Sequence, residues 1–165
     1  AHEAAHGWFG NGVRIACWED FLLAEGTTSY VAVRALEQVG GPVLWPEQVR
    51  WLDSLCAEPR TPVLLDTCGM IDIVGHPIVS GLPYAKGACF FEDVGDQIGP
   101  DALDRVLADF YRAHVGGAAT MRELLAELMA AHPGQARAID ALASDWLRSP
   151  TCPADYATRC GRHIR

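Results

Sequence analysis

His2, Glu3 and His6 stand in the order His-Glu-x-x-His at the start of the chain. Residues four apart on an α-helix share a face, so a helix here points both imidazoles at one metal ion. Glu3 then reaches a water bound to that ion and acts as general base, the chemistry of a zinc hydrolase. A catalytic zinc keeps three protein ligands and one open position, so a third ligand is required. Glu25 is the candidate. It shares a stripe at helical period with Trp18, Leu22, Ser29, Ala32 and Leu36. A carboxylate in a mostly apolar stripe costs several kcal/mol to desolvate unless a cation compensates it. Either a metal is that cation, or Glu25 sits at the stripe's edge and pairs with an Arg. The upstream His-Glu-x-x-His favours ligation.

The elements that must hold these side chains read as mainly helical. The zinc helix is expected to end by Gly10-Asn11-Gly12, where left-handed backbone is tolerated. Apolar spacing predicts a second helix over 18–37, stopped by Gly40-Gly41-Pro42, and Pro46 opens a short one reaching about residue 55. Residues 59–83 are broken by prolines and glycines and read as a loop. After it, Ala88, Phe91, Val94 and Ile98 recur at helical spacing, which places Tyr84 at a helix start. Further helices are predicted over 101–114, from the capping box Thr120-Met121-Arg122-Glu123, and over 135–147. Together these give one partial catalytic domain over 1–148, and a Pro- and Gly-containing tail or linker over 149–165. Tyr30, Tyr111, His114 and His132 read as structural, His163 belongs to the tail, and His76 is a further candidate for lining the cleft.

Three motifs in order carry a family resemblance. His2-Glu3-Ala4-Ala5-His6-Gly7-Trp8-Phe9-Gly10-Asn11 is followed by Trp18-Glu19-Asp20 with Leu23-Ala24-Glu25-Gly26, and then by Pro83-Tyr84-Ala85-Lys86-Gly87. This pattern resembles the gluzincin aminopeptidases, the family of aminopeptidase N and leukotriene hydrolase. Their signature separates His-Glu-x-x-His from the ligand Glu by eighteen residues, and positions 7–24 supply that spacing. The resemblance implies a mainly α chain, the C-terminal helical part of a thermolysin-like (gluzincin) catalytic domain. It implies zinc held by His2, His6 and Glu25, with Glu3 and Tyr84 catalytic. The Tyr84 hydroxyl would bond the oxyanion of the tetrahedral intermediate. The expected activity is a zinc metallo-aminopeptidase acting on peptides. Opening of an epoxide, as in the leukotriene hydrolase, and an inactive fragment or interaction lobe are the alternatives.

Lys86 is the only lysine in the chain, which suggests that Arg does not replace it there. Phe21 stands where the family usually has Trp, and Ala24 where it has a polar residue; neither position carries the chemistry. The family's Gly-x-Met-Glu-Asn strand, which recognises a substrate's free amine, is not in this sequence. The chain therefore reads as a fragment whose partners include upstream segments of its own protein. A first ligand in an opening helical turn is expected to fray, so weak or absent zinc binding by the isolated segment is expected.

Thirteen basic against 21 acidic residues give a net charge of −8, and no basic run is interleaved with aromatics, which argues against a nucleic-acid partner. That sign also disfavours anionic lipid, and no apolar run approaches the roughly 20 residues that span a bilayer, so no membrane partner is expected. The six cysteines show no Cys-x-x-Cys pair. Cys89 is expected to pack as a small hydrophobe, and Cys152 and Cys160 could bridge in an oxidising compartment. The cytoplasm is slightly favoured over export, with the compartment open.

Overall fold

Two glycines set the centre of the fold. Helix α2 (Phe21–Gln38) and helix α4 (Leu82–Ile98) cross where Gly26 meets Gly87, so closely that a Cβ added at Gly87 would lie 2.5 Å from the Gly26 Cα. No side chain larger than hydrogen fits between the two backbones. The computed structural model describes residues 1–57 and 61–160, and His163 and Pro59 lie outside the described residues.

Around this crossing the remaining elements pack as a mainly helical lobe. Helix α1 (His2–Ala5) lies on α2, α3 (Trp45–Leu55) and α5 (Pro100–His114) pack on α4, and α6 (Met121–Ala131) pairs with α7 (Ala136–Ala143). Helix α7 runs into a wider π turn at Ser144–Arg148, and α8 (Tyr156–Arg159) closes the described chain. Phe90, Phe91 and Phe110 are fully buried in the shared core, each contributing roughly 1.5–3 kcal/mol by leaving water. The capping box at Thr120 is complete: Thr120 accepts from the Glu123 amide while the Glu123 carboxylate accepts from the Thr120 amide. A short parallel pair, β1 (Arg14–Ile15) with β2 (Ala118–Ala119), ties the end of the first motif to the turn before α6. Strands this short carry no alternation to read from sequence.

The boundaries differ from expectation at three places. Helix α1 ends at Ala5, because Gly10 takes a left-handed φ of 104° and the chain turns back toward α2. Trp18–Asp20 forms a separate 3-10 turn before α2, and Trp18 is half exposed. The segment 149–160, expected as part of a tail or linker, is fastened to the lobe. Two disulfides, Cys56–Cys152 and Cys89–Cys160, hold it, with Cα separations of 5.7 and 4.9 Å.

The third disulfide is Cys17–Cys68. Cys152 and Cys160 therefore do not bridge each other, because the intervening residues run along the lobe and deliver each sulfur to a different helix. Cys89 is fully buried, as a small hydrophobe would be, yet its sulfur is spent in a covalent bond. Six cysteines allow fifteen pairings, and spacing alone does not choose among them.

Candidate metal centre

The side chains of His2, His6 and Glu25 converge. The two Nε2 atoms lie 3.2 and 3.4 Å from the same Glu25 Oε2, and the three ligand atoms fall within 4.8 Å of one another. Tetrahedral bonds of about 2.0–2.1 Å place ligand atoms roughly 3.3 Å apart, so both imidazole-to-carboxylate edges fit zinc. Neighbouring groups orient the rings. His6 Nδ1 faces the Phe9 carbonyl at 3.0 Å and His2 Nδ1 faces the Ser29 hydroxyl at 3.3 Å. A carbonyl can only accept, so His6 carries its proton on Nδ1 and presents the Nε2 lone pair to the centre. Thr28 donates to the same Phe9 carbonyl, fixing it. Glycine is required at position 10, where a Cβ would lie 2.7 Å from His6 Nδ1.

Glu3, exposed, lines both arms of a cleft that meets at His6 and Glu25. One arm, about 790 Å³, runs past Arg14, Trp18, Phe21 and Ile71. The other, about 600 Å³, runs past Ser29, Val33, Leu44, Gln48, Trp51 and Tyr84. Tyr84, in the first turn of α4, stacks on the His2 ring with centroids 5.5 Å apart, and Phe21 meets it edge-on. Phe21, the departure from the usual Trp, thus packs against the expected oxyanion donor. Partial burial pushes the Tyr84 phenol up to about 12, with the Glu25 charge and hydrogen bond adding to it, so it keeps its proton at neutral pH. Its hydroxyl is a donor.

A family model for the peptidase family M1 domain matches residues 1–146. The chain belongs to peptidase family M1. Among its relatives, aminopeptidase M1-B of Oryza sativa subsp. japonica is 26% identical over 99% of this chain and 19% of its own length. A probable aminopeptidase 1 of Saccharolobus solfataricus is 23% identical, covering all of the chain and 21% of that protein. The chain thus spans about a fifth of these curated relatives. Among solved structures, the M1 zinc metallopeptidase of Deinococcus radiodurans superposes with a TM-score of 0.73 at 24% identity, over 92% of this chain and 33% of that one. Native yeast LTA4 hydrolase gives 0.73 at 24%, over 93% and 26%. These two likenesses concern the fold, which is that of M1 peptidases.

The other motif residues serve the frame of this M1 lobe. Glu19 is buried, which pushes its carboxyl up, but the backbone amides of Met70 and Gly69 more than offset this and hold it below the usual range. Asp20 accepts from the Met121 amide at 2.9 Å and so anchors the start of α6. The Trp-Glu-Asp motif is thereby a clip between two segments. With the Cys17–Cys68 bond beside it, Glu19 holds the 66–71 stretch as a wall of the larger arm.

Lys86 points away from the cleft. Its Nζ, fully buried, donates to the Ser149 and Thr151 carbonyls at 2.9 and 3.0 Å, and burial pushes its pKa down to about 8. A planar guanidinium cannot replace this compact donor in the same space. His76 accepts from the Ile78 amide in its own loop, and His114 stacks on Phe110 beside Glu127. The sequence offered no sign of the Glu19 clip or of the Gly26–Gly87 contact, since each depends on a partner distant in the chain.

Proposed function

We infer that His2, His6 and Glu25 hold a catalytic zinc ion and that the protein containing this lobe is a metallo-aminopeptidase. The observation that carries the reading is the pair of Nε2 contacts to one Glu25 oxygen, with the far nitrogen of each ring held by its own neighbour. The relatives' names as aminopeptidases support the substrate class. When bound there, zinc supplies Lewis acidity to the scissile carbonyl and lowers the pKa of a water towards about 7. Glu3 takes the proton of that water and passes it to the departing amine, the acid step a peptide leaving group needs. The Tyr84 hydroxyl donates to the oxyanion as charge develops on it. Restriction to N-terminal residues rests on the family alone.

Against the fraying expected of an opening helical turn, both rings are also held from α2, through Ser29, Thr28 and Glu25, and this supports tight binding. Isothermal titration of the metal-free chain should give a submicromolar zinc Kd. Glu25→Gln should weaken it more than about a hundredfold, beyond the range typical of losing an outer-shell partner. Equal affinity of the two proteins would remove Glu25 from the site. Hydrolysis of aminoacyl amides but not of amine-blocked peptides by the protein in its full length tests the exopeptidase assignment.

The three disulfides favour an oxidising compartment over the cytoplasm. Among the described residues, no helix is long and apolar enough to cross a membrane. Thiol mapping of protein taken from its native compartment should find none of these six cysteines free.

A further inference from the structure

Among the described residues, the larger arm of the cleft is lined by one arginine and no lysine. Arg14, on β1, is exposed along a wall that also includes Glu3, Asn11, Trp18, Phe21 and Ile71. Arg34, Arg50, Arg112, Arg148 and Arg159 are each engaged by carboxylates. The Arg14 guanidinium instead donates one bond, from Nη2 to the Gly116 carbonyl at 3.1 Å. That bond fixes the group in place and leaves most of its five N–H donors open to a ligand. Nearby acids do not compete well for it. Glu19 is saturated by backbone amides, and Glu25 is committed to the two imidazoles.

Glu3 lines both arms, whereas Tyr84 faces only the other one. On the metallo-aminopeptidase reading a single residue lies upstream of the scissile bond and the rest of the peptide downstream, so the larger arm receives the downstream part. We propose that Arg14 binds a carboxylate on that downstream part, making it a specificity-determining residue of the cleft. The carboxylate belongs either to the free C-terminus of a short peptide or to an acidic side chain. An anchored guanidinium pairing with a carboxylate in two parallel bonds is the strong geometry for such recognition.

The test uses the zinc-loaded protein in its full length and its Arg14→Met and Arg14→Lys variants, with unchanged circular dichroism as the folding check. Leu-Ala-Ala is compared with Leu-Ala-Ala-amide, and Leu-Glu-amide with Leu-Gln-amide. The expected result is a preference of about tenfold in kcat/KM for the charged member of at least one pair, falling to about one in Arg14→Met and partly kept in Arg14→Lys. Which pair responds identifies the source of the carboxylate. No preference in the wild type, or one that survives Arg14→Met, overturns the proposal. Absence of all turnover would fail the peptidase reading, and calorimetry then decides this one. Ala-Ala should bind more tightly than Ala-Ala-amide, and only when Arg14 is present; equal binding, or a difference that survives Arg14→Met, overturns the proposal.

Discussion

Two carboxylates in this lobe each face two nitrogen-bearing side chains, and they differ in what those nitrogens can do. Asp93 accepts from Trp146 Nε1 at 2.9 Å and from Arg159 Nε, with its own side chain 2% exposed. Trp and Arg nitrogens only donate, so the Asp93 cluster is complete without any ion. Glu25 faces two imidazole nitrogens, which carry either a proton or a lone pair, and it opens onto the cleft with 13% of its side chain exposed. Burial and contact lengths differ between the two clusters only in degree. The donor inventory differs in kind, and it separates a staple from the proposed metal centre.

The largest effect that tests this division lies in the cleft. In the active protein, Tyr84→Phe removes the hydroxyl proposed to meet the oxyanion and should lower kcat by about a hundred- to a thousandfold, with zinc affinity kept. Steady-state kinetics beside a zinc titration decide it. An unchanged kcat would leave Tyr84 as a packing residue for His2 and Phe21. The matching change in the staple is Asp93→Ala, which leaves the Trp146 indole N–H without this acceptor and the Arg159 guanidinium with its longer contacts to Asp145 and Asp155, and should cost about 1–3 kcal/mol of stability in urea unfolding. Zinc affinity of the folded protein should hold. If Asp93→Ala instead abolished zinc binding while stability stayed put, the division between the two clusters would collapse.

The helix crossing links the two regions. Gly87→Ala forces a Cβ against the Gly26 backbone and should cost about 1–3 kcal/mol, since neither backbone can yield without moving Glu25 relative to Tyr84. Gly134→Ala is the control, because nothing lies within 4 Å of its added Cβ. It should stay within about 0.5 kcal/mol. Equal effects from the two substitutions would mean that the crossing has room to spare.

The candidate metal ligands were legible in sequence as a cluster for a physical reason. His2, Glu3 and His6 are local in the chain, and helical period fixes their relative direction before any tertiary contact forms. Glu25 stood out as a carboxylate in a mostly apolar helical stripe, whereas Tyr84 needed the family pattern, because its approach to His2 depends on the crossing at Gly26 and Gly87. The helices from Trp45 to Ala131 followed from apolar spacing, proline starts and one capping box. What stayed illegible was long-range and pairwise: the disulfide partners, the Glu19 clip on Met70, the two-residue strands, and the fastening of residues 149–160 by Lys86 and Arg159. A lone lysine in a motif reads only as a place where Arg does not serve, until the carbonyls it bonds, more than sixty residues away, are placed beside it.

That lysine supplies the subtlest way to sharpen the contrast. Lys86 has a folded pKa of about 8, driven down by burial, against an ordinary value of 10.5. Between those values the unfolded chain binds more protons than the folded one, so Lys86 makes stability rise as pH increases from about 8 to about 10.5. Its contribution is full above the unfolded value and is lost as pH falls through the folded one. Tyr30 works in the opposite direction from about pH 10 upward, because burial holds its phenol protonated in the folded state. The slope is therefore read as a difference between the wild type and Lys86→Met, from urea midpoints at pH 7.5, 8.5 and 9.5. The wild type should gain on the variant at each step, and zinc affinity at a fixed pH should be the same in both. Parallel midpoints across this range would mean that water reaches the Lys86 ammonium, and that the Ser149 and Thr151 carbonyls close over it less completely than the Asp93 cluster closes over Arg159.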